Sequence, residues 1–300
     1  MEENKEGITV LKTVEQQANS PENASELLFS RLSNPLIKKQ VIDLLYQSEL
    51  WAGENVTYNE PIEDENGVWR KDTSGNLIYN KTPHVSRTRE EIENDYDKTL
   101  DRVKHFTEIS FTSEEPRGGS VDENEKVFLG WKLPSGEKPT VAHWATIEAH
   151  EKGHSMRPYS GPTQKLSVST GEERTSFFQE YFSSAFDLSA VSFSKKDYEI
   201  ILNYMNQNGI KYEDTPTFAG QKEEFFRYLF SGVEIAERMS QLKNYFGFKG
   251  DEEFTLEHLR YAKEHYVIDT GFDNRMTPFL TAITPETEEE FIRLINCSGI

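Results

Sequence analysis

The 300-residue chain carries 52 acidic against 33 basic side chains, a formal net charge of −19, which repels phosphate backbones and anionic lipid and argues against nucleic acid or a membrane surface as a partner. An apolar fraction of 35%, with 19 Phe and 13 Tyr, supplies a core and excludes wholesale disorder. The lone cysteine, Cys297, excludes an internal disulfide and a cysteine-built metal cluster.

Three hundred residues allow one large domain or two unequal lobes. The stretch from Met1 to Glu6 has no basic region leading into an apolar core, so no secretory signal is expected there. No apolar run reaches the ~20 residues that span a bilayer. Cys297-Ser298-Gly299-Ile300 lacks the aliphatic pair and the preceding polybasic stretch of a prenylation site. These features lead to the expectation of a cytoplasmic protein.

Residues 1–20 read as a frayed polar segment. Ser20-Pro21 and Asn34-Pro35 each pair a capping residue with a first-turn proline, and Leu36, Ile37, Val41, Leu44 and Leu45 then recur at helical spacing. Val68-Trp69-Arg70 and Leu77-Ile78-Tyr79, separated by Asp72-Thr73-Ser74-Gly75-Asn76, predict a hairpin. Residues 1–85 are read as an N-terminal lobe of unknown role, and 86–300 as the main domain.

A charged helix is predicted from Ser86 to Phe106, capped by Ser86 or Thr88 with Glu90 and Glu91 in its first turn. Two extended segments follow, Glu108–Thr112 and Lys126–Leu133. A helix is predicted from Pro139-Thr140 through Met156, stopped by Arg157-Pro158. Further helices are predicted at 171–188, 195–208, 220–246, 255–266 and 285–296 after a Gly/Pro/Ser-rich loop. The fold class expected is α+β: a small mixed sheet against a mostly helical body.

The chemistry concentrates in His150-Glu151-Lys152-Gly153-His154. Two His four apart on a helix project from one face, one turn above the other. Their imidazoles can share a tetrahedral zinc ion, which accepts nitrogen at ~2.0–2.1 Å. Glu151 follows the first His and so projects beside the metal, where it can take a proton from bound water. This is the HExxH pattern. Gly153 leaves room beside the second ligand for a closely approaching backbone. The bland alternative is a surface helix with two solvated His and an acid between them. Phosphate-loop, dinucleotide and nucleophile-elbow motifs are absent from the sequence.

Over residues 127–158 the order of strand, turn and HExxH helix resembles the zincin metallopeptidases. The resemblance implies Zn²⁺ held by His150 and His154, Glu151 as general base, and a peptide or protein substrate. It also implies an edge strand, Val127 to Leu133, beside the substrate cleft. The third His of metzincins does not follow His154, so a gluzincin-like glutamate from a later helix is expected.

Three candidates compete for that third ligand. Glu173 stands at the spacing of aminopeptidase-like gluzincins. Glu180 lies on a predicted helix but faces away from the stripe Phe178, Tyr181, Phe182 and Ala185. Glu234 stands after Ser231-Gly232 and one turn before Arg238, which can hold its carboxylate. The stretch Glu234-Ile235-Ala236-Glu237-Arg238 also resembles a Glu-Ile-x-Ala-Arg segment of zincin-like proteins from bacteria and phages, with Glu237 in place of the Ala.

His143, seven residues before His150, shares its helical face and is a candidate to touch substrate or support the site. Arg157, Tyr159, Arg238 and His265 are further candidates to steady an oxyanion. The sequence thus predicts a zinc-dependent peptidase. Its alternative is a catalytically silent zincin-fold binding or regulatory protein of bacterial or phage origin.

Overall fold

The computed structural model describes residues 21–106, 109–112, 119–121, 127–130, 141–164, 175–192, 218–270 and 275–300. It is an α+β molecule, mostly helical, with short strands. Helix α1 (Pro21–Leu32) and helix α2 (Pro35–Asn55) come first. Asn34 caps α2 by accepting the Leu36 amide at 2.8 Å, and Pro35 occupies the first turn where no amide is needed. Both helices contribute to the same hydrophobic core as the later helices, through Leu28, Leu32, Val41, Ile42 and Leu45. The described helices of the expected N-terminal lobe are therefore part of the main core.

What stands apart is a hairpin of β1 (Thr57–Pro61) and β2 (Tyr79–Pro83), antiparallel with Thr57 opposite Pro83. The predicted turn at 72–76 is present, with the Asp72 carboxylate accepting the Ser74 and Asn76 amides. A second turn of the same build lies at Asp64. The predicted strands Val68–Arg70 and Leu77–Tyr79 make only isolated bridges in their own part, because β1 supplies the main partner of β2.

Helix α3 (Arg89–Phe106) starts on a capping box in which Thr88 and Glu91 bond reciprocally. Strands β3 (Ile109–Thr112), β4 (Gly119–Val121) and β5 (Val127–Gly130) form a mixed sheet in the order β3-β5-β4. Strand β5 pairs parallel with β3 and antiparallel with β4. It is therefore central, and the expectation of an edge strand at Val127 to Leu133 is corrected: both hydrogen-bonding edges of β5 are taken. Residues 131–133 lie outside the described set.

Helix α4 (Val141–Met156) carries the HExxH segment. Ile147 to Gly153 are buried without a break, because α1, α7 (Gly232–Tyr245), β4 and β5 all pack on α4. After it, β6 (Thr163–Gln164) pairs with β7 (Thr175–Ser176).

Helix α5 (Phe177–Ser183) is shorter than the predicted 171–188. Ser176 accepts the Gln179 amide at 3.2 Å and so fixes the helix start. The predicted helix over 195–208 lies outside the described residues. The helix predicted over 220–246 is two helices, α6 (Phe218–Leu229) and α7, broken where Ser231 takes extended backbone (φ −70°, ψ 152°). Helices α8 (Leu256–Thr270), α9 (Met276–Thr281) and α10 (Glu288–Cys297) complete the body. Among the described residues no helix is long and apolar enough to cross a membrane.

Helix α7 is unusual in its composition. Every residue from Glu234 to Tyr245 is buried, including Glu237, Arg238, Ser240, Gln241, Lys243 and Asn244. A helix buried on all sides is usually apolar all round. This one exchanges much of its apolar surface for paired charges.

Candidate metal centre

The first turn of α7 faces the middle of α4. Ser231 makes no side-chain cap bond, and Glu234 stands at the third helical position, where a capping-box glutamate turns back to the cap. Here its carboxylate turns to the histidines instead. His150 Nε2 lies 3.5 Å from Glu234 Oε2, and His154 Nε2 lies 3.6 Å from Glu234 Oε1. The two imidazoles stand at 88° with centroids 4.6 Å apart.

These separations are long for charge-assisted hydrogen bonds, which close to ~2.7–2.9 Å. They suit a shared ion: ligands at ~2.0–2.2 Å from a tetrahedral centre lie about 3.4 Å from one another. One ligand atom from each of the three residues falls within 4.8 Å of the others. The buried group His150, His154 and Glu234 could hold a metal ion. The donor set, two imidazole nitrogens and one carboxylate, also fits zinc.

The charges explain one another. Burial works against the negative charge of Glu234, yet His150, Arg238 and His154 outweigh it and hold the carboxyl well below the usual range. The helix N-terminus favours the same charged form. Burial opposes a proton on His150, but Glu234 beside it raises its pKa. His154 is pushed down to about 4 by burial, with His150 adding to the effect. Arg238, one turn along α7, donates through Nη2 to Glu234 Oε2 at 3.2 Å. Its role is to hold the carboxylate.

Glu151 is 7% exposed and stands outside the three-residue group. Burial pushes its carboxyl up to about 7, Glu234 adds to this, and His150 and Arg275 oppose it. A carboxyl poised there can both accept and release a proton near neutrality.

The other sequence candidates divide sharply. Glu180 is exposed on α5 and makes no part of the group, and Glu173 lies outside the described residues. His143 lies on α4 with its side chain outside the described set. Arg157 and Tyr159 are fully buried and committed elsewhere: Arg157 grips Glu237, and the Tyr159 hydroxyl donates to Ser298 O at 2.9 Å. Neither faces the site as an oxyanion donor. His265 stacks on Tyr261 with centroids 4.3 Å apart. His84 bridges Tyr58 and Glu49, and His258 accepts the Thr255 amide.

Two residues escaped the sequence reading. Tyr228 is 45% exposed as a residue, but its hydroxyl lies near Arg275, Glu234 and Arg238. Burial there lifts its pKa to about 12, with Glu234 adding to the rise and Arg275 opposing it. Arg275 donates to the Tyr228 hydroxyl at 3.3 Å and lies over the ring at 5.7 Å. They come from α6 and from the residue preceding α9, and no spacing in the sequence ties either to HExxH.

The fold and site define an α+β protein with a buried group, His150, His154 and Glu234, that could hold a metal ion, and a buried acid, Glu151, next in sequence to His150. No protein-family model, no curated protein and no solved structure matches the chain.

Proposed function

We propose that the chain is a zinc-dependent, zincin-like hydrolase of peptide bonds. The observation that carries this reading is a buried acid, Glu151, next in sequence to His150 and electrostatically coupled to His150 and Glu234, with three donors spaced for one tetrahedral ion. A purely structural metal site has no use for such an acid.

A zinc ion held by His150, His154 and Glu234 supplies Lewis-acid polarisation of a carbonyl and makes water acidic near neutrality. Glu151 takes the proton of the attacking water and returns it to the leaving amine. A cation held there would favour the carboxylate form of Glu151, so that Glu151 would meet substrate as a base. The Tyr228 hydroxyl, with Arg275 against it, donates to the carbonyl oxygen as that atom gains charge. Strand β4 packs on α4 and, among the described residues, has one edge without a strand partner. An extended peptide can pair there by backbone hydrogen bonds, which supports a peptide substrate.

Glu151→Gln tests the reading. The variant is expected to bind zinc as the wild type does and to lose about 10²–10⁴-fold in peptide cleavage. Unchanged cleavage by the variant, or no zinc in reconstituted wild type by elemental analysis, refutes the proposal.

A further inference from the structure

Gly153, between the two histidines, lies directly under a side chain of α7. A Cβ built on it would lie 1.7 Å from Glu237 Oε2, 2.4 Å from Glu237 Cδ and 2.9 Å from Arg157 Nη2. The room beside the second ligand, expected to admit a backbone, is filled by a side-chain carboxylate. Glu237 and Arg157 are both 0% exposed. Arg157 donates through Nε to Glu237 Oε1 at 2.7 Å and through Nη2 to Oε2 at 2.6 Å, while Nη1 reaches Gly299 O at 3.2 Å. Each nitrogen of the guanidinium therefore donates a hydrogen bond, and both oxygens of Glu237 are held by it.

The spacing of these residues matters. Arg157 follows His154 by three positions, and Glu237 follows Glu234 by three. Glu237 thus stands one turn from Glu234 on α7, and Arg157 is the residue directly after α4, its amide still bonded to Gly153 O at 2.9 Å. Within the packing of α4 on α7, two polar contacts stand out, one where the donors approach one another and one, just past the end of α4, where the fork closes. Two such contacts one turn apart resist both sliding and rotation. The tolerance is severe, because a slip of one residue along a helix is ~1.5 Å, whereas metal–ligand distances allow about ±0.2 Å.

We propose that Arg157 and Glu237, closing over Gly153, are positioning residues that lock the register of α4 against α7 and so preset the distance from Glu234 to the two histidines. The proposal rests on reading His150, His154 and Glu234 as the zinc ligands. It assigns Glu237 a task distinct from that of Arg238, which orients Glu234 within α7 alone. It also gives the buried pair a role beyond stability, since buried ion pairs can often be exchanged for apolar side chains without loss.

The experiment is the double variant Arg157→Met/Glu237→Met beside Gly153→Ala. Zinc dissociation constants are measured by chelator competition, and unfolding midpoints of the metal-free proteins by urea. The double variant keeps the packed volume and removes both charges but leaves Gly299 O without its donor, so its midpoint is expected to fall only modestly and the protein to stay folded. Its zinc dissociation constant is expected to rise about 10- to 100-fold, as for other groups that orient ligands. Gly153→Ala is expected to weaken zinc binding in the same direction, by driving Glu237 out of its fork. It also covers the case in which the double variant does not fold.

Zinc affinity within twofold of wild type in a folded double variant overturns the proposal. So does a Gly153→Ala protein that gains stability from the better helix former and binds zinc unchanged. Wild-type protein that takes up no zinc is a different result, which refutes the metal reading itself.

Discussion

The guanidinium of Arg238 lies 3.2 Å from Oε2 of Glu234, one turn away on the same helix, and both side chains are buried. The carboxylate thus has a charged partner before any ion arrives, and one of its oxygens is held in place by it. Replacing Arg238 with Met removes that hold and leaves Glu234 free to swing. The expected outcome is a zinc dissociation constant raised about 10- to 100-fold with the ligands intact. Chelator competition checks it; an unchanged affinity would show that the two histidines and the fold position Glu234 by themselves.

On the proposed reading, Tyr228 would act on substrate without holding the metal. Its hydroxyl is tied to Arg275 at 3.3 Å and is set near the Glu234 carboxylate. Tyr228→Phe keeps the ring and its stacking under Arg275 but deletes the donor. Losing one oxyanion donor costs ~10²–10³ in kcat, so a fall of that order is expected, with KM and zinc content little changed. Steady-state kinetics on a peptide substrate decide the matter. A rise in KM alone would make Tyr228 a binding contact.

What the sequence revealed of this site, and what it hid, divides along helix boundaries. His150, Glu151 and His154 were legible because spacings of one and four residues have fixed meaning on a single helix. Glu234 with Arg238 was legible for the same reason, as an i,i+4 pair on α7. The ion pair of Arg157 with Glu237 and the approach of Tyr228 to Glu234 were not. They join different helices, and no intrahelical period reports interhelical register. The burial of α7 was hidden by its own charges, which read as a solvated face until each finds its partner in the core. The central place of β5 was missed because β4, only Gly119-Ser120-Val121, has no strong strand pattern of its own.

Away from the metal group, Glu49 anchors the base of the β1–β2 hairpin to α2. Its carboxylate accepts from His84 Nε2 at 2.7 Å and from Arg87 Nε at 2.9 Å. Burial alone raises the carboxyl pKa, but His84 and Arg87 outweigh it and bring the group below its ordinary 4.5. A depressed carboxyl contributes stability above the unfolded-state value, and that contribution is lost as pH falls through the lower folded value. Glu49→Gln is therefore expected to be less stable than wild type at neutral pH, by about 1–3 kcal/mol. The gap should narrow as the pH drops below about 4.5. Urea unfolding of both proteins from pH 7 to pH 3 measures it, and a gap constant with pH would mean the carboxylate charge contributes nothing.

Gly232 opens α7 two residues before Glu234, and it opens it against backbone. A Cβ there would lie 2.5 Å from Phe178 Cβ and 2.7 Å from the carbonyl oxygen of Tyr159. Neither neighbour is the end of a flexible side chain. Phe178 is fully buried and stacks on Tyr159 with centroids 4.5 Å apart. The helix-propensity gain of Ala over Gly, worth up to ~1 kcal/mol in a helix interior, is outweighed by overpacking, which costs about 1–3 kcal/mol in a dense core. Gly232→Ala is thus expected to unfold at lower urea than wild type. Because the strain enters at the start of α7, the first turn must move to relieve it, carrying Glu234 from the histidines. Zinc affinity should fall along with stability, whereas the loss in the pair replacement Arg157→Met/Glu237→Met is expected mainly in zinc affinity. A Gly232→Ala protein as stable as wild type would show that α5 gives way and that the start of α7 is not wedged.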